Sequence, residues 1–171
     1  MQQPTDSFII RDAVEDDIPA VTEIYRPYVE TGTMSFELDP PDVDEMLRRY
    51  RQTLADGYPY FAMEVAGEIA GYAYAGAYRP RKAYRFTAEE SIYLRGDMTG
   101  RGLGRPLLEH LLTHLKQDGY RSVIGIVSDP EVNGASVGLH RKLGFREFGL
   151  AREIGFKFDR WIDVAYLQLT F

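Results

Sequence analysis

The 171-residue sequence contains no cysteine. This absence excludes a thiol nucleophile, a disulfide framework and every zinc site that uses cysteine ligands. Histidine is scarce, with three residues, and no apolar run approaches the roughly 20 residues of a transmembrane helix. The first ten residues, MQQPTDSFII, lack the basic start and long apolar core of a signal peptide, so we expect a cytoplasmic protein.

The sequence also lacks an excess of positive charge: 20 Lys and Arg residues are outnumbered by 26 Asp and Glu residues, and the formal net charge is -6. A general nucleic-acid binder needs a basic face, so neither a nucleic acid nor a membrane is expected as a partner. The composition is that of an ordinary globular protein, with 44% hydrophobic and 27% charged residues. No repeat, low-complexity tract or Ser/Gly-rich linker divides the chain, which predicts a single domain over residues 1–171.

Hydrophobic spacing predicts an α/β fold with elements in the order β-α-α-β-β-β-α-β-α-β-β. A first strand over Phe8–Arg11 precedes a helix led by Asp16 and Asp17, which Pro27 should bend or end early. The turn-rich stretch 30–41 is a loop, and Asp39 followed by Pro40 suits the start of a second helix. The remaining predicted elements are a hairpin over 60–78, a strand over 89–96, a helix over 103–117, a strand over 122–128 buried on both faces, a helix over 133–143, and the closing strands FREFGLARE and WIDVAYLQLTF.

Four glycines fall within nine positions of LRGDMTGRGLGRPLLEHLL (94–112), between an apolar strand and an apolar-periodic helix. Glycines let the backbone approach an anion, and the start of a helix offers unpaired N–H groups and a positive dipole end. Arg101 and Arg105 bracket the turn with charge complementary to phosphate. Glycine spacing alone is equally compatible with a tight strand-to-helix turn. A Walker A loop does not fit because no Lys-Ser or Lys-Thr pair follows, and a dinucleotide fingerprint is expected after the first strand.

This turn resembles the pyrophosphate loop of the GNAT acetyltransferases, R/Q-x-x-G-x-G/A, with Thr99 replacing the first side chain. VNGASVGLHRKLGFRE (132–147) resembles the later N-x-x-A-x-x-x-Y-x-K-x-G-F segment of the family, with His140 at the tyrosine position. The resemblance extends to the phosphinothricin and methionine sulfoximine N-acetyltransferase branch through ETGTMSFELDP, GYAYAGAYRPRKAYRFTAEESIYL and GFKFDRWIDVAYLQL. It implies the GNAT fold, a mixed but mostly antiparallel central sheet flanked by helices.

The resemblance implies acetyl-CoA as co-substrate and no metal. The pantetheine arm would add to the strand SIYL as an extra strand, and the pyrophosphate would lie on the glycine turn. The implied cofactor-binding residues are Ile92, Tyr93, Leu94, Arg101, Gly102, Leu103, Gly104, Arg105, Asn133 and Ser136.

Acetyl transfer to an amine needs a base for the amine proton and an acid for the departing thiolate. Glu89 matches the family's glutamate, and Glu90 would face the opposite side of the strand because side chains alternate. For either residue, an exposed strand carboxylate without a role is the alternative. His140 matches the family's proton-donating tyrosine and titrates in a suitable range, although a structural histidine is the alternative.

Arg79, Arg81, Lys82 and Arg85 place four positive charges within seven residues. They form either a solvated loop or a site for an anionic substrate, since Arg forks match carboxylates. The resemblance implies a free amino-acid analogue as substrate, and the candidate substrate residues are then Phe36, Arg79, Arg81 and Tyr84.

Two histidines one helical turn apart, His110 and His114, have the spacing of metal ligands. Neither the glutamate of H-E-x-x-H nor a third ligand accompanies them, so solvated histidines are expected instead.

The leading hypothesis is acetyl-CoA-dependent acetylation of the α-amine of a small amino-acid analogue, of the phosphinothricin, methionine sulfoximine or methionine sulfone type. Because the chain has no cysteine, the acetyl group is transferred either by direct attack, as in the leading hypothesis, or through a nucleophile other than a thiol. Acetylation of protein N-termini or other amines is the second hypothesis, and a catalytically silent acyl-CoA-binding module is the third. Relatives usually form dimers, so a homodimer is expected.

Overall fold

The computed structural model describes residues 7–171. Residues 1–6, which are the start of the predicted domain and the first six residues of MQQPTDSFII, lie outside the described part. Short 3-10 turns aside, the elements in chain order are β1 (Phe8–Asp12), α1 (Ile18–Glu30), α2 (Val43–Ala55), β2 (Tyr60–Val65), β3 (Glu68–Ala77), β4 (Thr87–Leu94), α3 (Gly104–Gln117), β5 (Ser122–Ser128), α4 (Gly134–Lys142), β6 (Arg146–Lys157) and β7 (Arg160–Thr170). The predicted element order is confirmed.

All seven of these strands form one sheet in the order β1-β2-β3-β4-β5-β7-β6. Within it, the central neighbours β4 and β5 run parallel and every other neighbouring pair is antiparallel. The expected α/β class, with a mixed and mostly antiparallel sheet flanked by helices, is therefore confirmed.

The two faces of the sheet carry different cores. On one face, α1 and α2 pack their apolar stripes against tyrosines of β2 and β3, including Tyr60 and Tyr72. On the other face, the leucine stripe of α3 is buried with Val137 of α4 and Phe145. None of the helices within residues 7–171 has the length and apolarity that a membrane crossing requires.

Helix α1 continues through Pro27 to Glu30, so of the two outcomes expected at this proline, a bend or an early end, the early end is wrong. Proline removes a single N–H donor near the end of the helix. Burial of Val29, which is 1% exposed, holds the last turn against the sheet.

Helix α2 begins at Val43 rather than at Asp39–Pro40, so the predicted start is wrong. The Asp42 carboxylate accepts a hydrogen bond from the Glu45 N–H at 2.8 Å, and this N-cap contact decides the boundary.

Strand β5 is mostly buried as predicted, but it is not buried throughout, because Ile126 is 39% exposed.

Candidate active site

The parallel strands at the centre of the sheet separate part way along their length. Strands β4 and β5 pair over Thr87–Glu89 and Ser122–Ile124. Beyond these residues, β4 stays paired with β3 as far as Leu94, while β5 stays paired with β7 as far as Ser128. The sheet therefore opens into a cleft after Glu89, with one edge of each strand facing it.

Backbone groups of β4 line this cleft at every second residue. The Arg95 N–H donates to the Ala70 carbonyl at 2.8 Å, and hydrogen-bonding alternates along an antiparallel ladder. Ile92 and Leu94 consequently direct their backbone groups to the β5 side, whereas those of Tyr93 face β3. At Leu94, the Tyr28 hydroxyl donates to the carbonyl at 2.6 Å and accepts from the N–H at 3.3 Å.

The glycine turn at the end of this cleft has the backbone that an anion site needs. Gly100 and Gly102 adopt φ of 74° and 82°, a conformation that side chains disfavour. Gly104 begins α3, whose first turn has neither a side-chain cap nor an acidic residue. A Cβ on Gly104 would lie 3.2 Å from the Leu139 side chain. The turn thus presents helix N–H groups without a competing carboxylate.

The other predicted side chains of the turn differ in accessibility. The Arg101 guanidinium lies 3.2 Å from the Met98 sulfur, and Leu103 is buried beneath the turn. The Arg105 guanidinium is exposed and forms an ion pair with Glu109 at 3.0 Å.

Asn133 and Ser136 lie at the start of α4, beside the end of β5. The Asn133 amide donates to the Ser128 carbonyl at 2.7 Å and to the Thr33 hydroxyl at 3.2 Å. This contact ties the N-terminus of α4 to the loop before α2. The Ser136 carbonyl lies 2.7 Å from Nδ1 of His140.

Glu89 and Glu90 face opposite sides of the sheet, as alternation predicts. Glu89 is opposite Gly76 on β3, on the same face as Tyr74, and is half-buried. Burial raises the pKa of Glu89, the charge of Glu90 raises it further, and Arg79 opposes both. A carboxyl group with a raised pKa in a partly enclosed site is suited to accept a proton near neutral pH.

Glu90 points to the α3–α4 face and is 6% exposed. Its Oε1 lies 2.6 Å from Nε2 of His140, which is itself 2% exposed. Burial disfavours a charge on His140, but the Glu90 carboxylate and the hydrogen bond to the Ser136 carbonyl together outweigh that effect, so the pKa of His140 is raised. Its burial excludes a helix-surface histidine and leaves a buried structural histidine as the alternative to a catalytic role. The two predicted catalytic residues, Glu89 and His140, lie on opposite faces of the sheet at strand β4.

The predicted substrate residues lie on two segments. Arg79, Arg81 and Tyr84 belong to an exposed connection between β3 and β4. Arg79 lies over the Tyr78 ring at 5.1 Å and is close enough to affect the pKa of Glu89. Phe36 belongs to the loop between α1 and α2, and its ring occupies the space above Gly155, where a Cβ would approach it to 2.3 Å.

That loop is held from below by Lys157, which is 3% exposed. The Lys157 ammonium donates to the carbonyls of Gly32 at 2.9 Å and Ser35 at 2.8 Å. Burial lowers the pKa of Lys157, and Glu37 partly opposes this.

His110 and His114 lie edge-on to the Phe61 ring, at centroid distances of 4.5 and 5.2 Å. Burial lowers the pKa of His110. Over residues 7–171, no group of three potential metal-ligating side chains comes together.

Sequence reasoning missed four residues of this region: Tyr28, Glu90 as the partner of His140, Lys157, and Gly125 of β5, where an added Cβ would approach the His140 ring to 2.8 Å. The alternation of β4 indicates that Glu90 faces away from Glu89, but it does not say which helix covers that face, and the contact with His140 spans 50 positions. The contacts of Tyr28 and Lys157 span 66 and more than 120 positions, and no local signal marks them.

A central pair of parallel strands that separates above a glycine-rich helix start is the arrangement of an acetyltransferase of the GNAT class. Residues 10–166 match the model of the acetyltransferase (GNAT) domain, and the chain belongs to that family. It is 46% identical over 159 residues to the phosphinothricin N-acetyltransferase of Alcaligenes faecalis, covering 93% of this chain and 80% of that protein. It is 37% identical over 162 residues to the L-methionine sulfoximine/L-methionine sulfone acetyltransferase of Pseudomonas paraeruginosa, covering 94% and 93%.

A solved structure agrees with these relationships. The GNAT superfamily phosphinothricin acetyltransferase of Sinorhizobium meliloti, crystallised in complex with AcCoA, has a TM-score of 0.91 at 40% identity and covers 95% of this chain and 88% of that one. The resemblance to the GNAT family and to this branch is confirmed.

Proposed function

We propose that this protein transfers the acetyl group of acetyl-CoA to the α-amine of a small amino-acid analogue, of the phosphinothricin, methionine sulfoximine or methionine sulfone type. The observation that carries this function is the divergence of β4 from β5, which leaves the Ile92 and Leu94 backbone facing a cleft that ends at the glycine turn. The names of the relatives support the acceptor class.

In this function, the pantetheine arm of acetyl-CoA lies along Ile92, Tyr93 and Leu94, with the hydrogen bonds made by Ile92 and Leu94. The contact of the Tyr28 hydroxyl with Leu94 implies that this side chain moves or shares the backbone site. The pyrophosphate lies on the turn from Arg101 to Arg105, supported by the two positive φ angles and the uncapped start of α3. Asn133 and Ser136 flank the arm from α4.

The acceptor approaches from the α1–α2 face, where Glu89 takes the proton of its amine. The nitrogen attacks the thioester carbon, the C–S bond breaks, and the sulfur receives a proton that originates on His140. Arg79 and Arg81 bind the anionic groups of the acceptor, while Phe36 and Tyr84 form apolar walls. Exposure of the two arginines supports modest contributions from each.

We also propose a homodimer. Strand β6 is an edge of the sheet, and with β7 it exposes a row of large apolar side chains, each 41–59% exposed. These residues are Phe148, Leu150, Ile154, Phe156 and Trp161. A second copy would cover this row, since exposed apolar edge strands favour association. Cytoplasmic location stays a prediction.

A substrate panel tests the function. Purified protein is incubated with acetyl-CoA and, separately, with phosphinothricin, methionine sulfoximine, methionine sulfone and a peptide with a free N-terminus, and products are identified by mass spectrometry. We expect N-acetylated amino-acid analogues and little acetylated peptide, because the basic segment attracts a free carboxylate. Preferential acetylation of the peptide would contradict the proposed acceptor class. Acetyl-CoA turnover that yields no acetylated acceptor would contradict both the acceptor class and the proposed acetyl transfer.

A further inference from the structure

A buried acid–base pair lies at the point where β4 and β5 separate. The last β4–β5 pair is Glu89 with Ile124. The next residue of β4 is Glu90, and the next residue of β5 is Gly125. An added Cβ at Gly125 would approach His140 to 2.8 Å and Glu90 Oε1 to 2.9 Å. Only glycine at this position leaves room for the pair, so the site is built from three elements: β4, β5 and α4.

The hydrogen bonds of His140 determine how many protons the pair holds. The Ser136 carbonyl can only accept, so Nδ1 of His140 carries a hydrogen. The 2.6 Å contact between Nε2 and Glu90 Oε1 then holds one further proton, either as imidazolium and carboxylate or as imidazole and carboxylic acid. The pair therefore carries one transferable proton between two buried groups.

Glu90 also has an oxygen that the fold leaves unsatisfied. Its Oε2 is buried, and among the side-chain polar atoms of residues 7–171 it is the one recorded as buried without a hydrogen-bond partner. Leaving a buried acceptor unpaired is costly, and such exceptions call for a reason beyond packing.

We propose that Glu90 is a positioning residue that keeps His140 protonated at the apex of the cleft, so that the pair supplies the proton taken by the departing CoA thiolate. This inference rests on the proposed acetyl transfer. In that step, the C–S bond breaks, the sulfur gains the proton from the pair, and Glu89 gains the proton from the amine. Solvent exchange then returns the Glu89 proton to the pair, so no other reactant is consumed.

The charge of Glu90 raises the pKa of Glu89 and Tyr93 on the same strand as well as that of His140. Helix α4 contributes the Ser136 carbonyl, β5 contributes Gly125, and the Phe145 ring lies edge-on to the imidazole at 5.0 Å. The charge on Glu90 is thus the main feature that opposes the burial of His140.

The variant that separates charge from shape is Glu90→Gln, because glutamine keeps the length and a hydrogen-bonding head. Without the carboxylate, only the hydrogen bond to the Ser136 carbonyl opposes the effect of burial on His140, and its pKa should fall by at least about one unit. Long-range ¹H–¹⁵N NMR of the three histidines measures this directly in the protein without substrates. Glu23→Gln, which removes an exposed carboxylate from α1, is the matched control and should leave His140 unchanged.

The same variants are then assayed for kcat across pH with the best acceptor. Above the lowered pKa, a smaller share of His140 is protonated in the variant than in the wild type, so the kcat of Glu90→Gln relative to wild type should fall as the pH rises, by about tenfold for each unit by which the pKa is lowered. A His140 pKa that falls together with this ratio supports the proposal. A His140 pKa that falls while the kcat ratio of variant to wild type stays constant overturns the proposal, because the proton of the pair is then not used in transfer.

Wild-type His140 provides a test that needs no variant to fold. Loss of its charge at or below about pH 6.5 overturns the proposal, since Glu90 would then confer no protection on the imidazolium. A wild-type protein that acetylates no acceptor would overturn the proposed function, whereas the NMR titration would still test whether Glu90 keeps His140 protonated.

Discussion

The two neighbouring glutamates of β4 occupy different chemical environments although their side chains are identical. Glu89 is half-buried on the α1–α2 face, beside Tyr74 and within the influence of Arg79. Glu90 is buried on the α3–α4 face and paired with His140. The comparison shows that two adjacent carboxylates of one strand can have a half-buried and a buried, histidine-paired environment, because alternation separates them across the sheet; the roles proposed for them depend on this difference.

The faces differ as clearly in their packing. The α1–α2 face is rich in tyrosine, with ring centroids 5.2 Å apart for Tyr72–Tyr93 and 4.9 Å apart for Tyr60–Tyr74. Tyrosine hydroxyls find partners at the edges, such as Ser35 for Tyr25 at 2.7 Å. The core of the α3–α4 face is mostly aliphatic, with the Phe145 ring against the imidazole of the buried Glu90–His140 pair. A polar acceptor suits the first face, whereas a retained proton suits the second.

The largest expected effect is the loss of activity when the Glu89 carboxylate is removed. Glu89→Gln should lower kcat about 10²–10⁴-fold, with little change in acetyl-CoA affinity, because glutamine cannot take the amine proton. Steady-state kinetics with the best acceptor measures it, and Glu90→Gln serves as control with a much smaller loss at neutral pH. A large loss in Glu90→Gln with near-normal Glu89→Gln would reverse the two roles.

A smaller effect is expected from the loop above β6. Lys157→Met removes the donor for two loop carbonyls and should lower the free energy of unfolding by about 1–3 kcal/mol. The acceptor KM should rise severalfold, since Phe36 loses its support, while the KM for acetyl-CoA stays near its wild-type value. Denaturant unfolding and kinetics check both, with the exposed Lys142→Met as control. Unchanged acceptor KM in a destabilised variant would remove Phe36 from the acceptor site.

The smallest effect sharpens the electrostatics of Glu89. Arg79 lowers the pKa of Glu89, so Arg79→Ala should raise it further and move the acidic limb of the kcat profile to higher pH, by less than about one unit because Arg79 is exposed. Arg85→Ala, where the guanidinium stacks on Phe86 at 4.4 Å, is the control and should leave the limb in place. A limb that moves equally in both variants would indicate a general charge effect.

Local patterns predicted the architecture well, because each element has a strong signal of its own. The leucine stripe of α3 and the hairpin around Ala66–Gly67 required no tertiary information. The errors lie at Pro27 and at the start of α2, where long-range packing or one cap contact outweighed a local preference.

For the site, the sequence by itself determined the glycine turn, the alternation that divides Glu89 from Glu90, and the family resemblance that the comparisons confirm. Tertiary structure alone decided that Glu90 meets His140, that Gly125 leaves them space, and that Lys157 supports the loop of Phe36. The physical reason is distance along the chain. Backbone conformation depends on neighbouring residues, whereas Glu90 and His140 are 50 positions apart and acquire their shared proton only when β4, β5 and α4 exclude water together.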